Sequence, residues 1–295
     1  MVSTEAEVGS STEPLSVRSG RLPWLIKRHP TMIVGIVLLV IMSFVALGAP
    51  IWTKADPLKI SPVNRLKSPS AAHWFGTDHL GRDIYARTIY GSRISLLVGL
   101  CVSVIGMVTG LTIGLISGYY SRVDLVVMRI MDGIMAIPAI LLAIALMALV
   151  SASVQNVIIA LSIPEIPRVV RVVRASVLSL RERLFVEATR AAGAGVPRIL
   201  IRHIMPNTLA PLIVQGTYIC ASAIIVEAYL SFLGAGTPPH IPSWGNIMAE
   251  GRSYVQLAFW IVLFPGVFLA LTVLAINLVG DGLRDTLDPK IARRM

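Results

Sequence analysis

Residues 94–118 read ISLLVGLCVSVIGMVTGLTIGLISG, a run without a single charged side chain. About 20 apolar residues suffice to cross a ~30 Å hydrocarbon core as a helix. A membrane β-strand would instead alternate apolar and polar residues over about ten positions. The run is continuous, so it reads as a transmembrane helix. Gly106, Gly110, Gly114 and Gly118 recur every fourth residue, with Ser103 and Gly99 one and two turns earlier. Small residues at that spacing form a stripe along which a second helix backbone can approach closely. Helix packing without substrate contact is the favoured reading.

Five further runs resemble this one. The expected spans are 31–52, 94–117, 128–150, 154–170, 207–232 and 257–280. Of the 295 residues, 55% are hydrophobic and 14% charged, too apolar for a soluble domain to conceal. Only helices and closed barrels satisfy the backbone in lipid, and the run lengths select helices. The fold class is therefore all-α, a polytopic membrane protein with six transmembrane helices. Pro164, Glu165 and Pro167 interrupt the fourth span, and Arg168, Arg171 and Arg174 crowd its end. The first span exceeds a signal-peptide core of ~7–15 residues.

Basic residues orient the chain. With the N-terminus in the cytoplasm, 18 of the 26 Lys and Arg fall on the inner side, as the positive-inside rule requires. The expected organisation is a cytoplasmic tail at 1–30, a first helix at 31–52, an extracytoplasmic segment at 53–93, and a five-helix core at 94–280. A cytoplasmic loop at about 171–206 lies within that core, and a cytoplasmic tail follows at 281–295. Both termini are thus expected in the cytoplasm of a multi-pass cell-membrane protein. The first ~20 residues are polar and read as a disordered tail. The net charge of +10 reflects topology and contact with anionic lipid. No basic patch is interleaved with aromatics, which argues against nucleic acid as a partner.

Several chemistries find no support. Cys101 and Cys220 lie inside spans as small packing residues, and the five scattered histidines show no zinc spacing. None of the five lysines follows a glycine, so the phosphate-cradling P-loop is missing. No G-x-S-x-G or H-E-x-x-H occurs. Neither catalytic residues nor a metal site nor a cofactor is expected in this chain.

The loop near 171–206 carries the remaining signal. Residues 176–192 favour a helix, with Leu180, Leu184 and Ala188 on one stripe and Glu187 spaced to pair with Arg183 or Arg190. Gly193 and Gly195 break it. Pro197 suits the first turn of a second short helix, expected to reach about Met205 and to offer Ile199, Leu200 and His203 along one side. Two short helices around a small-residue turn let another protein approach the backbone.

Glu187-Ala188-Thr189-Arg190-Ala191-Ala192-Gly193, followed by Arg202-His203-Ile204-Met205-Pro206-Asn207, resembles the EAA loop through which ABC-importer permeases dock onto their ATPase. Phe75-Gly76-Thr77-Asp78-His79-Leu80-Gly81-Arg82-Asp83 and Gly91-Ser92-Arg93-Ile94-Ser95-Leu96 are similar to the segment before the second span in dipeptide, oligopeptide and nickel permeases, in particular their C-type subunit. Glu227 to Gly234, Trp244-Gly245 and Gly280 to Pro289 match the same group. Thr189, His203 and Met205 depart from the general pattern, and a histidine at 203 is common in the peptide branch.

The resemblance implies a type I ABC-importer permease fold. It assigns ATPase coupling to Glu187, Ala188, Ala191, Ala192, Gly193, Gly195, Pro197, Arg198, Ile199, Leu200, His203 and Pro206. It also implies a second homologous permease forming a heterodimer, one or two cytoplasmic ATPases that bind ATP and Mg, and an extracytoplasmic peptide-binding protein. Peptide import is the leading reading. Nickel or another small solute, and a secondary transporter built on Pro/Gly-broken helices, are the alternatives. Glu227 and Trp244 are candidates for the pore or its outer mouth, with a structural role favoured for Glu227. Asp132 is spaced to pair with Arg129.

Overall fold

The computed structural model describes residues 30–287, so the two tails read as cytoplasmic fall mostly outside the described residues. Within them lie helices α1 (Pro30–Leu47), α2 (Ala49–Trp52), α3 (Ile84–Tyr119), α4 (Ser121–Met135), α5 (Ala139–Ala148) and α6 (Val154–Leu180). They continue with α7 (Leu184–Ala191), α8 (Val196–Ile199), α9 (Met205–Phe232), α10 (Trp244–Gly251) and α11 (Trp260–Leu287). A π-helical turn, Leu200–Ile204, joins α8 to α9.

Four helices among the described residues are long and apolar enough to cross a membrane: Pro30–Leu47, Ile84–Tyr119, Val196–Phe232 and Trp260–Leu287. The run at 128–150, expected as one span, is two helices meeting at 84°. The break falls at Pro138, whose ring fixes φ and removes a donor. Counting α4 and α5 together gives five spans. The sixth position falls on α6, which has 27 residues but carries Glu165, Arg168, Arg171 and Arg174. Despite Pro164 and Pro167, α6 is one helix that outlasts the expected 154–170. Each proline removes a single amide donor, and the turns on either side continue.

Helix α3 is the mast of the bundle. At 36 residues it is about 54 Å long and outreaches a ~30 Å hydrocarbon core by roughly 24 Å. It starts ten residues before the expected boundary. Asp83 caps it by accepting the Ala86 amide at 2.9 Å, and His73 Nδ1 holds the same carboxylate at 2.8 Å. The glycine stripe faces α6: a Cβ built on Gly114 or Gly118 would lie 2.7 Å from the Cβ of Val173 or Val177, and one on Gly110 would collide with Val169. These valines are fully buried. Nearer the start of α3, Gly99 admits Ile224 of α9, and Ser103 Oγ donates to Gly216 O at 2.7 Å. Helix α1 packs on α11 in the same manner, with Gly35 against Leu278 and Gly282 against Met32.

Candidate functional site: the arginine-rich segment and the buried charge cluster

The arginine-rich loop is built on the C-terminal ends of α3 and α6. Helix α6 stops at Leu180, and the Arg183 amide turns back to Leu180 O at 3.1 Å. A single long helix over 176–192 does not form, so the stripe of Leu180, Leu184 and Ala188 is broken, and Leu184 is 82% exposed. Helix α7 begins afresh with Glu187 in its first turn and Arg190 in its last, the polarity that suits the helix dipole. Its end is a Schellman closure: Gly193 N–H donates to Arg190 O at 3.0 Å and Ala194 N–H to Thr189 O at 3.2 Å. Gly193 has φ +80°, the left-handed conformation that glycine adopts without steric cost. A Cβ there would meet nothing within 4 Å, so the restraint is in the backbone rather than in packing.

Gly195 then caps α8 in an extended conformation, with Pro197 in the first turn. The second helix is not an isolated piece ending at Met205. Helix α8, the π-turn and α9 run on without a break from Val196 to Phe232. A side chain displaced at the turn is therefore joined rigidly to a membrane span.

Val186, Ile199 and Ile204 are buried in the main core cluster beside Val173 and Val177. Ile199 thus anchors the segment inward instead of facing a partner, because the apolar core outcompetes solvent for it. Leu200 and His203 are half-buried. Glu187, Ala188, Ala191, Ala192, Gly193, Gly195, Pro197, Arg198 and Pro206 are exposed, as are Phe185 and Ile201. Among the described residues Glu187 makes no ion pair, contrary to the expected pairing with Arg183 or Arg190. Arg190 instead donates to Tyr119 Oη at 3.2 Å.

Ion pairs brace α6 just before this segment. Arg171 meets Asp132 at 2.6 Å, displacing the expected Asp132–Arg129 pair, and Arg174 forks onto both oxygens of Asp124, with Nη2 at 2.6 Å from Oδ2. Arg181 donates to Gly118 O at 3.2 Å.

The opposite end of α3 carries a second constellation that sequence reasoning did not resolve into contacts. Asp78, fully buried, accepts from Arg82 Nε at 2.6 Å, Arg87 Nη1 at 2.8 Å and the amides of Leu80 and Arg82. Glu250 of α10 accepts from Arg87 at 2.6 Å and from Arg82. Two carboxylates and two guanidinium groups thus neutralise one another. Gly76 and Gly81, both at φ +74°, fold the surrounding turn. Trp260 donates to Thr77 O at 3.2 Å. Asp78, His79 and Glu250 lie close enough to share a cation, but the arginines already occupy both carboxylates. The signal lay in the G-T-D-x-x-G-R-D string, whose charges are too close in sequence to be solvated independently in an apolar setting.

Glu227 and Trp244 are both fully buried, so neither lines an open pore surface within this chain. Glu227 Oε1 accepts from Ser231 at 2.8 Å and Ser243 at 2.9 Å, and Asn246 ties Thr237 and Pro238 over the same spot. Trp244 donates to Thr88 O at 3.1 Å. Together they fasten the 233–246 connection onto α9 and α3.

The described residues thus form a bundle of long apolar helices with an exposed, Schellman-closed helical pair on one side. Residues 110–293 match the family model described as "Binding-protein-dependent transport system inner membrane component", and the chain belongs to that family. It is 52% identical over 268 residues, 91% of this chain and 92% of the relative, to a probable peptide ABC transporter permease protein of Sinorhizobium fredii. It is 45% identical, over 90% of this chain and 88% of the relative, to the dipeptide transport system permease protein DppC of Alkalihalophilus pseudofirmus. Among solved structures, an inward-facing MetNI methionine ABC transporter is similar in fold, with a TM-score of 0.58 at 21% identity, covering 70% of this chain and 98% of that one. The type I importer permease fold expected from the loop is the fold found.

Proposed function

We propose that this chain forms one half of the pore of an ATP-driven peptide importer in the cell membrane, with both termini cytoplasmic. It pairs with a second homologous permease. Cytoplasmic ATPases bind ATP and Mg and dock at 184–206, and an extracytoplasmic binding protein delivers the peptide. Peptide cargo is supported by the names of the relatives. The observation that carries the coupling role is the segment itself: exposed at Phe185, Glu187 and 191–193, anchored by Val186, Ile199 and Ile204, and continuous with α9. ATP binding that closes the ATPase dimer biases the pore through such a lever only if the two pore states contact the ATPase differently.

Gly193→Val tests this, since it strains a backbone at φ +80° without filling any intramolecular space. Glu187→Lys is the companion, adding positive charge among Arg183, Arg190 and Arg198. In reconstituted complex, both variants are expected to retain extracytoplasmic peptide binding while transport and peptide-stimulated ATP hydrolysis fall together, and crosslinkers at 191–198 should reach the ATPase. Parental transport in both variants, with no crosslink, would refute the coupling role.

A further inference from the structure

An apolar cleft of about 550 Å³ opens between the last turn of α1 and the first half of α3. Its walls include Ala46, Leu47, Leu97 and Leu100, with Tyr90 and Arg93 at one end and Ile241 and Pro242 closing the side. Arg93 is exposed and has no ion-pair or hydrogen-bond partner among the described residues, whereas Arg82 and Arg87 just before it are both ion-paired to Asp78. Helix α1 ends at Leu47, and Trp52, five residues on, is 44% exposed. Tyr90, Trp52 and Arg93 are of the types, amphipathic aromatics and snorkelling cations, that collect at headgroup level. Leu100, seven residues along α3, lies about 10 Å deeper.

We infer that this cleft is a binding site for an anionic phospholipid, its phosphate on Arg93 and an acyl chain laid along Leu97 and Leu100. Charge complementarity selects the occupant. An uncompensated guanidinium at the mouth of an otherwise apolar channel suits a molecule with a phosphate at one end and hydrocarbon below it, and guanidinium binds phosphate bidentately. A protein helix seated here would bury that cation without a counter-charge unless it brought its own. The lipid would wedge α1 against α3, a contact made otherwise through small and aliphatic side chains. The inference rests on membrane embedding alone and not on the cargo, so it stands or falls separately from peptide transport.

The test is the lipid that accompanies the complete transporter through purification in mild detergent from a host containing phosphatidylglycerol and phosphatidylethanolamine. Extracted lipid should be enriched in phosphatidylglycerol about fivefold over the host membrane, the scale of one cation's attraction to an anionic headgroup. Arg93→Gln should return the ratio to that of the membrane, Arg93→Lys should keep most of the enrichment, and Leu97→Trp should lower total bound lipid by filling the cleft. A wild-type ratio equal to the bulk, or an unchanged ratio in Arg93→Gln, overturns the inference. So does a photoreactive residue at position 97 that crosslinks to the partner permease instead of to lipid.

Discussion

Replacing Gly114 with alanine adds one carbon at the close crossing of α3 and α6. The new Cβ would sit 2.7 Å from Val173 Cβ and 3.0 Å from Val170 O, about 1 Å inside the ~3.5–4.0 Å optimum for carbon contacts. Val173 is β-branched and fully buried, so it has no free rotamer to retreat into, and α3 and α6 must part. Overpacking of this kind costs about 1–3 kcal/mol, partly offset by up to ~1 kcal/mol from the better helix propensity of alanine. A net loss of roughly 1–2 kcal/mol is expected, and Gly114→Leu should lose more. Gly133 is the control: nothing lies within 4 Å of its built Cβ, so Gly133→Ala should be neutral or stabilising. Thermal unfolding of detergent-solubilised protein, followed by the monodisperse fraction on size exclusion, measures the difference. Val173→Gly, which removes the opposing Cβ, should relieve the clash in Gly114→Ala, and the double-mutant cycle reports the coupling. Equal melting of the Gly114 and Gly133 variants, or additivity in the cycle, would refute close packing as the role of the stripe.

Three further outcomes are expected. Asp78→Ala leaves Arg82 and Arg87 sharing Glu250 alone, and removing one partner from a buried charge cluster should cost about 3–5 kcal/mol, seen as loss of folded protein on the same assay. Glu227→Gln keeps an acceptor for Ser231 and Ser243 and should fold, whereas Glu227→Leu strands those hydroxyls and should lower stability by about 1–3 kcal/mol. Impermeant thiol reagents applied to intact cells, on a background lacking Cys101 and Cys220, should label single cysteines placed in 53–83 and spare one at Arg198; labelling of position 198 from outside would invert the proposed orientation.

Hydropathy was enough to read a helical membrane protein, because lipid leaves the backbone few other solutions and each long apolar run speaks for itself. Part of the loop was legible too: Gly193 closes the turn where the string placed it, although the helix before it starts afresh at Leu184 and the one after it runs on to Phe232. What lay beyond local reach was decided by packing. Whether 128–150 runs straight or bends at Pro138, and whether Pro164 and Pro167 end a helix or sit within one, depends on the neighbours that complete or replace the missing backbone bonds. Ile199 turned inward because the core beside Val173 and Val177 could take it, a competition that periodicity over a four-residue helix cannot register. The partners of Asp132, Asp78 and Glu227 were likewise invisible, since Arg171, Glu250 and Ser243 come from distant segments. Burial of a charge forces it to find a counter-charge or donor, but only the tertiary fold determines which one is within reach.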